Sequence, residues 1–202
     1  MKEKEIDKLL NIRTEGDQQG FNKSFHYHRY EPTPYSALEQ LFNEYELKSS
    51  DRIVDFGCGK GRLVFYIHYL CNATVSGIEM NEELYIAANE NRSSYLKKNK
   101  KSKDKIHFQF GLAQDYQIDP SDNRFYFFNP FSIQVFMTII NNILLSVEKA
   151  ERDTDLVLYY PSEDYIYFLE NQTAFELQRE VKMTDLYERD ADERFLIYGL
   201  GS

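Results

Sequence analysis

The sequence has no long apolar run, no cysteine framework and no low-complexity linker, and each absence excludes a class of protein. A membrane-spanning helix needs about 18 or more consecutive apolar residues, and none are found. The opening Met1-Lys2-Glu3-Lys4-Glu5-Ile6-Asp7 is too polar for a secretory signal, so a cytoplasmic protein is expected. Two cysteines, Cys58 and Cys71, cannot by themselves build a disulfide framework or a structural zinc site. Only His26 and His28 of the four histidines lie close together, and no third ligand accompanies them, so no metal centre is expected. No internal repeat or heptad marks an assembly surface, which leaves the oligomeric state open.

What is present has the balance of one globular domain. The 202 residues are 42% hydrophobic and 28% charged, enough to bury a core without covalent staples. The net charge of −9 is unevenly placed, with 13 acidic and 5 basic residues after Ala150. Against that trend, residues 97–105 hold six lysines and one acid. We read this run as a solvated helix end whose cations offset the negative helix C-terminus; contact with phosphate is the sharper alternative. A surface this acidic does not indicate broad nucleic-acid binding, although nucleic acid stays possible as a partner.

From residue 52 onward the pattern alternates. Apolar segments at 53–56, 74–79, 105–110, 124–128 and 155–160 read as strands. Helical periodicity between them covers 61–71, 82–98, 132–149 and 163–170. Such alternation predicts a parallel sheet with helices on both faces. Residues 175–183 and 194–199 read as two further strands with only an acidic loop between them, so an antiparallel hairpin should close one edge. The expected fold is therefore α/β: a Rossmann-like, doubly wound, seven-stranded sheet, mostly parallel with a C-terminal antiparallel hairpin. Residues 1–50 read as an N-terminal helical arm or lid, with a helix running to Tyr45 capped by Thr33 or Ser36. Residues 51–202 read as the core.

The chemistry concentrates at the first turn, Val54-Asp55-Phe56-Gly57-Cys58-Gly59-Lys60-Gly61. A glycine-rich strand-to-helix turn lets backbone approach a ligand closely. Glu79, 18 residues after Gly61, ends the second strand, where a carboxylate can accept both hydroxyls of a ribose. Together they indicate an adenosine-containing ligand. A G-x-G-x-x-G dinucleotide fingerprint would need its third glycine at position 62, which is Arg62.

The G-x-G-x-G spacing with a preceding acid resembles the class I S-adenosylmethionine-dependent methyltransferases. The terminal hairpin extends the likeness from about residue 50 to the end. The resemblance implies S-adenosyl-L-methionine as cofactor and S-adenosyl-L-homocysteine as product. It places Asp55, Gly57, Cys58, Gly59, Gly61 and Glu79 around the donor and Met80 against the adenine. The family often has an acid after the third-strand glycine, but here that place is Leu112, so Ala113 and Gln114 are expected at the adenine edge instead. Phe128-Asn129-Pro130-Phe131 resembles the Asn-Pro-Pro-aromatic sequence of methyltransferases acting on planar amine nitrogens, with one proline missing. By that likeness Asn129 contacts donor and acceptor, and Phe131 stacks on the acceptor.

Residues 21–35, rich in aromatics, are expected to cover the donor, with Tyr30, Thr33 and Tyr35 reaching the methionine part or the acceptor. Tyr159, Tyr160, Tyr165 and Tyr167 are candidates for the acceptor pocket. The resulting expectation is methyl transfer to a nitrogen of an RNA base, a protein side chain or a small amine. The alternatives are a non-catalytic S-adenosylmethionine-binding module and a nicotinamide-dinucleotide oxidoreductase.

Overall fold

The structure, a computed structural model, describes residues 2–16, 31–184 and 186–200. Seven strands form one sheet: β1 (Arg52–Phe56), β2 (Thr74–Glu79), β3 (Ile106–Phe110), β4 (Arg124–Phe128), β5 (Thr154–Tyr159), β6 (Glu176–Lys182) and β7 (Arg194–Leu200). The order is β3-β2-β1-β4-β5-β7-β6, with β1 to β5 parallel and β7 antiparallel to both β5 and β6. The expected architecture is observed. Six α-helices lie among the described residues: α1 (Lys2–Leu10), α2 (Tyr35–Glu44), α3 (Arg62–Cys71), α4 (Glu82–Lys98), α5 (Ile133–Lys149) and α6 (Glu163–Gln172).

Strand alternation sorts the apolar side chains into two cores. Ile53, Tyr126, Val157, Tyr159, Phe195 and Ile197 face α1 to α4, while Val54, Phe56, Phe125, Phe127, Leu156, Leu158, Leu196 and Tyr198 face α5 and α6. Both faces of the sheet are covered, which is why its strands read as nearly continuous apolar runs. The second core is aromatic: Phe136 of α5 stacks on Tyr165 of α6 at 3.7 Å between ring centroids, and edge-on against Phe127.

Helix ends follow local chemistry. Asn81 Oδ1 accepts from the Leu84 amide and starts α4, while Ser162 caps α6. Asn72, with φ at 56°, ends α3 in the left-handed conformation that asparagine tolerates. The expected cap of α2 by Thr33 or Ser36 is corrected. The helix begins at Tyr35 after Pro34 without a side-chain cap of its own, and the Tyr35 amide donates instead to Glu3 Oε1 of α1 at 2.9 Å. A tertiary contact replaces the local one.

The five parallel strands all end at one edge, where ligands bind in open α/β sheets. The loop from 183 to 193 joins β6 to β7 at that same edge, because Lys182 pairs with Arg194 there. The lysine run lies at the opposite edge, between the last turn of α4 and the start of β3.

Truncating the stacked pair tests the second core. Phe136→Ala should cost roughly 3–5 kcal/mol in urea unfolding, since the ring is fully buried.

Candidate functional site

The site is built on the turn between β1 and α3. Gly57, Gly59 and Gly61 have φ of 80°, 54° and 84°. The turn folds back on β2: the amides of Gly57 and Cys58 both donate to the Ile78 carbonyl, at 2.9 and 3.1 Å, and Gly61 donates to the Cys58 carbonyl. Gly59 donates to Glu79 Oε2 at 2.9 Å, while Glu79 Oε1 accepts from the Asn81 amide at 2.7 Å. The Glu79 side chain is buried, and its carboxylate keeps acceptor capacity beyond these two bonds.

Two close approaches explain glycine at particular positions. A Cβ on Gly57 would lie 3.0 Å from Pro130 Cβ, so the turn after β4 packs directly on the glycine turn. A Cβ on Gly77 of β2 would lie 2.6 Å from Cys58 Sγ. Cys58 therefore packs its side chain behind the turn, against β2. Burial pushes its thiol well above the usual range, so it is a packing group and not a nucleophile.

Asp55 is the least compensated group in the site. It is 5% exposed, and no hydrogen bond to its carboxylate forms among the described residues. Burial, reinforced by the nearby Glu79 charge, pushes its pKa up to about 8. Burial also raises Glu79, against the opposing effect of the backbone amides it accepts from. Beside Asp55 in the sheet stands Tyr126 of β4, whose hydroxyl is 2.7 Å from Thr33 Oγ1. Thr33 is thus held against β4, beside the strand that carries Asp55. Tyr126 was not singled out from sequence, because the aromatic run of β4 was not divided between its two faces.

Other expected residues fall into place unevenly. Met80 and Leu112 are partly exposed at the ends of the paired strands β2 and β3, an apolar rim next to Glu79. Ala113 and Gln114 follow in a short 3₁₀ turn, held where Asn142 of α5 donates to the Gln114 carbonyl at 3.0 Å. Asn129 ends β4 with φ at 37°, a left-handed conformation that turns the chain over the glycine turn. Phe131 departs from expectation. Its ring is buried in the α5–α6 core, and the Tyr165 hydroxyl holds its carbonyl at 2.6 Å, so it offers no open stacking face. Tyr165 is itself a core residue.

Tyr35 is also corrected. It is fully buried, its hydroxyl donates to Asp7 Oδ1 at 2.7 Å, and the Arg62 guanidinium lies over its ring. Burial and the Asp7 bond both raise its pKa, leaving it a structural tie between the arm and α3. Tyr159 and Tyr160 do sit at the ligand edge, bonded to Glu193 and Asp190 of the acidic loop, while Tyr167 is exposed on α6. Phe21, Phe25, His26, Tyr27, His28 and Tyr30, and with them most of the expected lid, lie outside the described residues.

Two buried carboxylates under a glycine turn suit a ligand with a cation and a ribose. They do not suit a pyrophosphate, which needs free amides at the helix start. Four of the turn's amides are already donated internally. A family model described as a methyltransferase domain matches residues 33–128. The chain has the fold of the class I S-adenosylmethionine-dependent methyltransferases. No curated protein matches the sequence. Among solved structures it is similar to an RNA methyltransferase from Salinibacter ruber in complex with S-adenosyl-L-homocysteine. That likeness has 16% identity, covers 84% of this chain and 92% of that one, and has a TM-score of 0.60. It is also similar to a phosphoethanolamine N-methyltransferase from Haemonchus contortus (13%, 83% and 42%, 0.60) and to a geranyl diphosphate C-methyltransferase from Streptomyces coelicolor (10%, 82% and 77%, 0.55). These likenesses share a fold across unlike acceptors.

The site has a pH signature of its own. The Asp55 carboxyl titrates near 4 in the unfolded chain and about 8 in the folded one. The stability linked to its proton is complete below about pH 4 and is lost as pH rises toward 8. Urea midpoints should fall over that interval, and Asp55→Asn should flatten the fall; an unaltered slope in the variant would assign the dependence to another group.

Proposed function

We propose that the chain is a methyltransferase that transfers a methyl group to the nitrogen of an amine, in a small molecule or a protein side chain. The observation that carries the reading is the packing of Pro130 on Gly57, which puts Asn129 at the mouth of the glycine turn. When bound, S-adenosylmethionine supplies an activated methyl on a sulfonium: the nitrogen lone pair forms the new C–N bond as the C–S bond breaks, and the electron pair stays on sulfur.

The protein's part is alignment and exclusion of water. Glu79 would take the ribose hydroxyls on the acceptor capacity its carboxylate keeps beside the Gly59 and Asn81 bonds. Asp55 would meet the positive charge of the methionine end as its carboxylate. Met80 and Leu112 would flank the adenine, with Ala113 and Gln114 at its edge. The Asn129 side-chain oxygen would accept from the acceptor N–H and turn the lone pair toward the methyl.

Charge placement favours a cationic acceptor over nucleic acid. The acceptor side of the edge carries Glu163 and Asp164 at the start of α6, and Glu188, Asp190, Asp192 and Glu193 in the β6–β7 loop. The lysines near the start of β3 lie one strand length away, about 16 Å. An acidic mouth draws a protonated amine and repels a phosphate backbone. Attack needs the neutral nitrogen, which desolvation at the mouth favours, and its proton leaves to solvent. The phosphoethanolamine enzyme among the structural neighbours methylates nitrogen, and the Salinibacter ruber neighbour is an RNA enzyme by name. At these identities neither decides the acceptor.

Methyl-labelled donor offered with polyamines, lysine-rich peptides and total RNA in parallel should place label in the amines or peptides. Label in RNA alone would overturn the amine reading while keeping the methyltransferase. Asn129→Ala should lower transfer roughly 10- to 150-fold and leave S-adenosylhomocysteine affinity within about threefold. Glu79→Ala should do the reverse, weakening S-adenosylhomocysteine by about 10- to 150-fold in calorimetry. An effect on binding below about threefold, with the fold intact, would remove the ribose assignment.

A further inference from the structure

The glycine turn is held from inside by Glu79, and a second set of bonds holds it from outside. Asn91 of α4 is buried and uses its whole amide on main chain. Its Oδ1 accepts from the Arg13 amide at 2.8 Å, and its Nδ2 donates to the Arg13 and Lys60 carbonyls, both at 3.0 Å. The next two residues of the arm reach the residues that flank Gly61. Arg62 Nε donates to Thr14 Oγ1 at 2.7 Å, and Lys60 Nζ donates to the Glu15 carbonyl at 2.8 Å. Three consecutive arm residues are thus fastened to the turn or to the side chain that fastens it.

The arm is anchored in turn. Asp7 accepts from the Thr14 amide, the Thr14 hydroxyl and the Tyr35 hydroxyl, and Arg62 binds Glu3 and the Thr33 carbonyl. Moving the Lys60 carbonyl off Asn91 would leave a buried amide with one unsatisfied donor, which is costly. The turn's left-handed glycines and the docked arm therefore stabilise each other.

We infer that Asn91 is a positioning residue for the donor, coupling the docking of residues 13–15 to the binding-competent shape of the glycine turn. This rests on the reading that the turn holds the donor. Aspartate at this position keeps the shape and the acceptor but loses both donors, so it is the informative change. Coupling is reciprocal: if the docked arm favours the donor, the donor must favour the docked arm by the same factor.

Two measurements on the full chain test this. Calorimetry with S-adenosylhomocysteine should show Asn91→Asp weakened about 5- to 150-fold. Leu41→Ala, a core change on the same face without a bond to the turn, should lower the melting temperature and leave affinity within about threefold. In the unmodified protein, S-adenosylhomocysteine should slow amide exchange at Arg13 and Thr14, a ligand-dependent protection that a purely structural asparagine would not produce. Wild-type binding with no protection of the arm, or Asn91→Asp binding within twofold of wild type, would overturn the coupling. Failure of the folded wild type to bind would overturn the donor-site reading beneath it.

Discussion

One buried carboxylate organises the ligand edge of this protein. Glu79 ends β2 and accepts the Gly59 amide from the turn after β1, so two adjacent strands are joined at the point where both leave the sheet. A carboxylate out of water is stable only when its oxygens are occupied, and backbone amides occupy them here. The cost of burying the charge is thereby converted into a constraint on the glycine turn. The left-handed glycines, the packing of Cys58 against Gly77 and the seating of Pro130 on Gly57 all assume the position that this contact sets.

Asp55 shows the opposite arrangement at close range. It faces the same region from β1 but has no hydrogen-bonding partner among the described residues, and its proton is held by burial and by the nearby Glu79 charge. Two carboxylates thus differ in kind. One is occupied by backbone amides, while the other has no such partner among the described residues. Local environment, and not residue type, sets the difference.

The two faces of the sheet divide the work. The α5–α6 face is a dry aromatic stack that buries Phe131 and fixes the end of β4 through Tyr165. The α1–α4 face is polar near the glycine turn, where Asp7, Thr14, Arg62 and Asn91 form a connected network. Such a network specifies one geometry because every member needs its partner. The match to a methyltransferase domain covers β1 to β4 and so includes the glycine turn, but not the acidic β6–β7 loop.

Strand and helix order, the glycine turn, Glu79 and the terminal hairpin were legible in the chain, because hydrophobic period and glycine placement are local signals. The misplaced residues were those whose role depends on distant partners. Tyr35 read as a free hydroxyl until Asp7, 28 positions earlier, took it, and Phe131 read as a stacking face until Tyr165 held its backbone in the core. Asn91 carried no signal at all, since a polar residue on a helix announces nothing until Arg13 and Lys60 meet it. By itself the sequence determined a seven-stranded α/β sheet with an adenosine-type cradle, through patterns that repeat within a few residues. Only the tertiary structure decided which polar side chains are committed and which stay open, because that depends on hydrogen bonds between segments far apart in the chain.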